Sequence, residues 1–355
     1  MKNNLSIVFL WAEVGGYLEA VLKSLTSHSV GCINVVHWDM RNSNTTQHNI
    51  TNLDKVIFHA RSETNVELIF KLLEAAKPEI IVVSGWMDKG YIRVCKKYKK
   101  NYPMVKIVAG IDDMWMGSLR QRIGQIYYRF FYRKLFDFMW ISGQPQFSFA
   151  QRFGYNIENI ISNLYSADTE TFKTRAGITK RFIFVGRFVK VKAIDLLVKS
   201  YCMLSESEQK EWPLILIGEG DQKSIILDEK NPNIKVLPFL QPDKLREELL
   251  KGGVGCLPSH KDQWGIVLHE YALMGLPILA SSGSGATSEF LISGFNGFLF
   301  NKGCANDMYR AMKEFTSLNE SDISRFAENS TKLGQRITSD LSAASLLSVY
   351  KSELQ

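Results

Sequence analysis

From one end to the other the chain alternates short apolar runs with amphipathic helical stretches, and it does so in two successive series. The first series has strand-like runs at LSIVFLW, GCINVVHW, KVIFHA, EIIVVSGW, VKIVAGI and FMWIS, separated by helical patterns such as LEAVLKSL and NVELIFKLLEAA. The second has RFIFVG, PLILIGEG, IKVLPFL, GVGCLPS, PILASS and GFLF. Near-continuous apolar strands are those of a parallel sheet covered on both faces, and parallel neighbours need a long crossover, usually a helix. The pattern therefore predicts an α/β fold with two doubly wound parallel sheets. A length of 355 residues exceeds one ordinary core and suits two. The join is expected in the polar stretch ADTETFKTRAGITKR, giving domains over residues 1–172 and 173–335 and a last amphipathic helix, LSAASLLSVYKSEL, within 336–355.

Composition excludes several classes. Hydrophobic residues at 45% and charged residues at 22% are those of a soluble globular protein. No run approaches the roughly 18 apolar residues of a membrane span, and LSIVFLW reads as a buried first strand rather than a signal peptide. Five scattered cysteines without a CxxC pair argue for reduced thiols in a cytosolic setting. The six histidines show no metal-ligand spacing, so no metal site is expected.

Charge is concentrated. Between Lys89 and Lys134 twelve Lys and Arg face two acids, Asp112 and Asp113, an excess larger than the +7 of the whole chain. Within it, LRQRIGQIYYRFFYRKLF interleaves Arg with Tyr, Phe and Ile at helical spacing. Such a helix suits peripheral contact with an anionic membrane, at its cytoplasmic face. A helix that packs on the core with solvated arginines fits the same pattern equally well. No recognition motif points to nucleic acid.

Four loops after strands of the second series carry candidate chemistry. In PSHKDQWGIVLHEYALMG, Asp262 stands just before a helix start and Glu270 eight residues on. The first turn is expected near Trp264, Gly265, Ile266 and Val267, with Gln263 ahead of it and Gly265 letting a ligand reach the backbone. Free N–H groups at a helix start and the helix dipole favour an anion such as a diphosphate. In FVGRFVKVKAID, Arg187 follows a strand-ending glycine and Lys192 comes five residues later. A planar fork and a point charge together suit two phosphoryl groups, although either alone reads as a solvated loop cation. LIGEGD contributes Gly218, Glu219 and Gly220, a weak signal alone. In VLPFLQPDKL, Pro238 and Phe239 end an apolar strand whose backbone suits a flat base. Downstream, SGSGATSEFLISGFNGFLF is a Gly-rich strand exit in which Gly297 reads as turn chemistry.

Taken in order, FVGR with Lys192, LIGEGD, VLPFL, PSHKDQWGIVLHEYALMGLPILAS and GATSEFLISGFNGFLF resemble the nucleotide-binding domain of glycosyltransferase family 4, retaining enzymes of the GT-B fold. The first half is similar more loosely, through Gly15 and Gly16 after the first strand and Asn163 and Asp168 in NLYSADTETF. The resemblance implies two Rossmann-like domains facing across a cleft, the first binding acceptor, the second binding a nucleotide sugar, and a C-terminal helix crossing back to the first. It implies that Arg187 and Lys192 clamp the donor diphosphate, that Glu270 holds the ribose hydroxyls and that Asp262 lies by the donor sugar, where the family usually has Glu. Gly15 and Gly16 would close over the donor. Ala193 replaces the customary glycine after the lysine, and VAGIDDMWMG stands where the family often has a histidine, leaving Asp112 or Asp113 as its substitute. The implied activity is retaining transfer from a nucleotide sugar, by default a UDP-sugar, to a glycan or lipid-linked glycan in surface polysaccharide synthesis, without cofactor or metal. A sugar-nucleotide epimerase, a glycan phosphorylase and a non-catalytic nucleotide-sugar-binding protein share the architecture.

Overall fold

In the computed structural model, which describes residues 5–28, 30–39 and 52–351, the chain forms two compact units. Among the described residues the first holds 5–28, 30–39, 52–166 and 338–351, and the second holds 167–337. The change of unit falls between residues 166 and 167, ahead of the expected 172. The reason is local: Phe172 is buried, and the amides of Ala176 and Gly177 donate to the carbonyls of Met274 and Leu250 within the second unit. The return falls at 337/338, against the expected 335/336.

The first unit is built on a seven-stranded parallel sheet: β1 Leu5–Trp11, β2 Val30–His37, β3 Val56–Ala60, β4 Ile80–Val83, β5 Lys106–Ile111, β6 Phe138–Ile141 and β7 Ile160–Ile161. Their order is β3-β2-β1-β4-β5-β6-β7, so the winding reverses between β1 and β4. Ile7, Val8, Phe9 and Leu10 of β1 are fully buried, as a central strand covered on both faces requires. The helix Ser339–Lys351 belongs to this unit, where it lies against the helix Gly16–Ser27; Ser342 donates to the Asn163 carbonyl, and Ala343 and Leu346 enter the core. Residues 352–354 of the expected last helix lie outside the described residues.

The second unit carries a six-stranded parallel sheet of β8 Phe182–Val185, β9 Leu214–Ile217, β10 Ile234–Leu237, β11 Val254–Leu257, β12 Ile278–Ser281 and β13 Gly297–Phe300. Its order, β10-β9-β8-β11-β12-β13, reverses between β8 and β11. Because every strand is parallel, the loops after β8, β9, β10, β11 and β12 all emerge at one edge, and β8 and β11 part there. Such a switch point leaves a crevice that neither neighbouring helix fills. Gly297, expected in a turn, is instead the first residue of β13. A Cβ there would lie 1.9 Å from the carbonyl oxygen of Ile278, so the position is closed by the neighbouring strand.

Among the described residues no helix is long and apolar enough to cross a membrane. All five cysteines are free.

Candidate active site at the switch point of the second sheet

Arg187 and Lys192 leave β8 on one side of the switch point, and the loop 258–266 leaves β11 on the other. The two loops are fastened together. The amide of His260 donates to the carbonyl of Val191 at 2.9 Å, and the Lys192 ammonium lies 2.5 Å from Oδ2 of Asp262. Both side chains of that pair are largely buried, at 19% and 14% exposure. Arg187 is exposed, and no partner for its guanidinium occurs among the described residues. Its backbone is nonetheless fixed, because Gly186 and Phe188 donate to the carbonyls of Ile217 and Glu219.

That pairing explains the glycines after β9. A Cβ on Gly218 would sit 1.9 Å from the Gly186 carbonyl oxygen and one on Gly220 2.2 Å from that of Phe188. Both glycines also have positive φ, at 147° and 155°. Glu219 is tied to Lys223 at 3.0 Å. The amide of Gly218 donates to Leu237, which sets the exposed Pro238 and half-buried Phe239 next along the same edge.

Lys192 ends a 3₁₀ turn, Lys190–Lys192, and Ala193 then takes a left-handed conformation (φ 54°, ψ 45°) to start the helix Ile194–Tyr201. The sharp reversal needed to aim Lys192 at the switch point is therefore made by a residue with a Cβ, where glycine is the strain-free choice. This is the physical meaning of the glycine that the resemblance led one to expect at that position.

The helix after β11 starts later than the sequence suggests, at Val267–Leu273 with Ile266 as its N-cap. Gly265 has φ 90° and breaks the helical path, so Trp264 and Gly265 belong to the loop. On its Cβ side, Gly265 is closed by the protein rather than open to a ligand. A Cβ there would meet Ser284 Oγ at 2.6 Å and Leu257 Cδ2 at 2.8 Å, so the protein itself fills the space. The carbonyls of Gly265 and Ile266 accept from Leu268, His269 and Glu270, whereas the amides of Gly265, Ile266 and Val267 donate to nothing among the described residues. Two buried polar groups of this loop, the hydroxyl of Ser259 and the indole N–H of Trp264, also lack partners there.

The Gly-rich exit of β12 supports the acid. Asp262 donates its amide to Gly283 and accepts from the amide of Gly285, and Ser284 Oγ donates to the Trp264 carbonyl at 2.7 Å. Sequence reading missed this role because the two segments meet only in space. Gln263 lies half-buried beside Asp262.

Glu270, half-buried on the helix, has its carboxyl pushed up to about 7, first by burial and then by the negative charge of Asp168. Asp168 is held in place by the amides of Glu170 and Thr171 and the Thr171 hydroxyl. A carboxyl in such surroundings gains from any ligand hydroxyl that donates to it. The next residue, His269, is fully buried, and burial lowers its imidazole to about 4. Its Nδ1 accepts from the Ala167 amide and its Nε2 donates to the Gly334 carbonyl, both at 2.9 Å, while Phe290 stacks on the ring at 4.3 Å. The neutral Nε2–H form is thus fixed, and His269 is a structural member of the site wall.

In the first unit, Gly15 caps the helix Gly16–Ser27 beside the switch between β1 and β4, and its carbonyl accepts from Leu18 and Glu19. Asp112 follows β5: its carboxylate accepts from the Tyr165 hydroxyl at 3.4 Å and its carbonyl from Gln146 at 2.9 Å. Asp113 is exposed. Tyr17 packs on Tyr165 at 4.6 Å, and burial raises its hydroxyl to about 12. Among the described residues no group of three His, Cys, Asp or Glu side chains is placed to hold a metal ion.

Two doubly wound parallel sheets, the second with its charged loops converging on the switch point, define a GT-B fold. Residues 168–333 match the model of the family described as glycosyl transferases group 1. An uncharacterized glycosyltransferase of Methanocaldococcus jannaschii is 22% identical over 200 residues, 55% of each chain, so the match spans about half the length of that relative. Among solved structures, a glycosyltransferase from Rickettsia africae superposes with TM-score 0.75 at 12% identity over 99% of both chains. Sucrose-phosphate synthase from Thermosynechococcus elongatus gives 0.73 at 14% over 99% of both. Anabaena HepE, solved with UDP and glucose, gives 0.71 at 15% over 98% of this chain and 100% of that one. At such identities these likenesses show the fold.

Proposed function

We propose that the protein is a retaining glycosyltransferase that moves a sugar from a nucleoside diphosphate donor to a glycan or lipid-linked glycan acceptor at the inner face of a membrane, in surface polysaccharide synthesis. The observation that carries the donor reading is the meeting of Lys192 with the Asp262 loop at the switch point of the second sheet. Arg187 stands on the same strand exit, and three undonated amides at 265–267 complete an anion-binding edge. When the sugar C1–oxygen bond breaks, its electron pair stays on the diphosphate, and preorganised cations and amides stabilise that charge. The acceptor oxygen bonds to C1 on the face the diphosphate leaves, and its proton passes to the departing phosphate oxygen. Glu270 would accept from the ribose hydroxyls, Asp262 from a donor-sugar hydroxyl, and Pro238 and Phe239 would face the base. The first unit would hold the acceptor, with Gly15 and Gly16 near the donor and Asp112 or Asp113 near the reacting carbon. UDP is the default carrier, in keeping with the HepE complex. No metal ion is assigned to the reaction, and turnover that survives a chelator checks this.

Calorimetry with a nucleoside diphosphate and turnover of a panel of nucleotide sugars test the proposal. Arg187→Ala and Lys192→Ala should weaken both; unchanged affinity and turnover in both variants would remove the clamp from the account. Product mass spectrometry separates transfer from epimerisation, which needs no acceptor.

A further inference from the structure

The helix Leu119–Phe131 is amphipathic in the reverse sense to a core helix. Its side turned to the body of the first unit carries Tyr128, fully buried, and two glutamines. The Tyr128 hydroxyl bonds to that of Tyr155 at 2.6 Å, and its ring packs on Trp86 at 4.5 Å and Phe153 at 5.0 Å. Gln121 and Gln125 donate to the carbonyls of Met114 and Arg152. At 3.6 residues per turn, Leu119, Ile123, Ile126 and Phe130 form one stripe on the side opposite Tyr128. They are 77%, 68%, 60% and 81% exposed. A helix pinned by a tyrosine on one side and presenting a contiguous apolar stripe to solvent on the other marks an interaction surface.

Charge selects the partner. From residue 114 to 136 there is no acid, while Arg120, Arg122, Arg129, Arg133 and Lys134 flank or follow the stripe. Arg120 and Arg122 are exposed. Two copies meeting through this face would set like charges against each other. An anionic bilayer satisfies both features at once, with the apolar side chains entering the acyl boundary and the guanidinium groups reaching lipid phosphates.

We propose that this helix is a peripheral docking surface for anionic membrane, with Leu119, Ile123, Ile126 and Phe130 as the inserting side chains. The proposal deepens the reading of a membrane-borne acceptor, which places the acceptor beside the same surface, but its test does not depend on donor chemistry. The full chain is sedimented with phosphatidylcholine vesicles with and without phosphatidylglycerol. The expected result is binding to the anionic vesicles only, weakened by salt, and reduced at least about tenfold in the triple variant L119S/I126S/F130S. In a separate variant, Phe130→Trp, the emission should shift to the blue on anionic vesicles. Equal binding to both vesicles, unchanged binding of the triple variant, or an unmoved emission overturns it. So does a concentration-dependent dimer of the wild type that F130S abolishes. Thermal stabilisation by a nucleoside diphosphate, read on the same preparations, shows that the variants are folded. Absence of wild-type binding to anionic vesicles, with nucleotide stabilisation intact, sinks this inference alone; stabilisation absent from wild type sinks the donor reading alone.

Discussion

Lys192 and Asp262, 70 residues apart in sequence, form an ion pair of 2.5 Å across the switch point of the second sheet. The Asp262 carboxylate holds the ammonium that, in the proposed reading, a donor phosphate would take. On that proposal the two anions would compete for one ammonium.

Removing either partner should act in opposite directions on nucleotide affinity. Lys192→Ala loses a charge-assisted bond and should weaken nucleoside diphosphate binding by about ten- to hundredfold. Asp262→Asn releases the ammonium and should tighten binding of the free diphosphate while lowering turnover. Calorimetry on both variants, with turnover measured alongside, checks the pair. Equal weakening in both would show that Asp262 holds Lys192 in position for the ligand rather than competing with it.

Affinity should also depend on pH through Glu270. Its carboxyl ionises at about 7 in the folded protein. If ribose hydroxyls donate to the carboxylate, binding requires the ionised form, so affinity rises with pH up to about 7 and is flat above it. In the absence of nucleotide the sign for stability is reversed. A carboxyl raised from 4.5 to about 7 makes the fold bind more protons than the unfolded chain, so its contribution is lost as pH rises through that window. Glu270→Gln should flatten the affinity profile and remove this part of the stability profile. Titrations of both proteins from acid to neutral pH provide the comparison.

His269 carries the opposite linkage. Its folded value of about 4 lies below the ordinary 6.5, so stability is lost as pH falls through that interval. His269→Phe keeps an aromatic ring on Phe290 but removes the bonds to the Ala167 amide and the Gly334 carbonyl. Urea unfolding should show a loss of about 1–3 kcal/mol for two lost buried hydrogen bonds.

Ala193 offers a stabilising change. Its left-handed backbone costs about 1–2 kcal/mol, part of which glycine returns through added freedom in the unfolded chain. Ala193→Gly should raise stability by up to about 1 kcal/mol. Ala193→Val should lower it and weaken nucleotide binding, because Lys192 precedes the turn. Gly265→Ala should be worse, since its Cβ would meet Ser284 and Leu257 as well as the strained φ. Thermal melts rank the three.

Much of the fold is legible in the sequence because buried parallel strands are written as local apolar runs. Twelve strands stand where such runs occur, and β7, two residues at the sheet edge, has no run to read. The loops of the candidate site were legible as strand exits, and Arg187, Lys192 and Asp262 do lie at one switch point. What local patterns could not give was distance along the chain. The ring of His269 is held by Ala167, 102 residues earlier, and Asp262 is braced by Gly283 and Gly285. The start of the helix at Val267 was set by the φ of Gly265, which a reading of helix starts from charge and polarity passes over. For the helix Leu119–Phe131, periodicity fixed the stripe but not which side faced the core; the burial of Tyr128 decides it.

The central claim is that Arg187, Lys192 and the amides of residues 265–267 hold one diphosphate. A crystal structure of the protein with a bound nucleoside diphosphate tests it most directly. The phosphates are expected within hydrogen-bond distance of both side chains and of those amides, with Lys192 drawn away from Asp262. A diphosphate lodged elsewhere, with the Lys192–Asp262 pair intact, would contradict it.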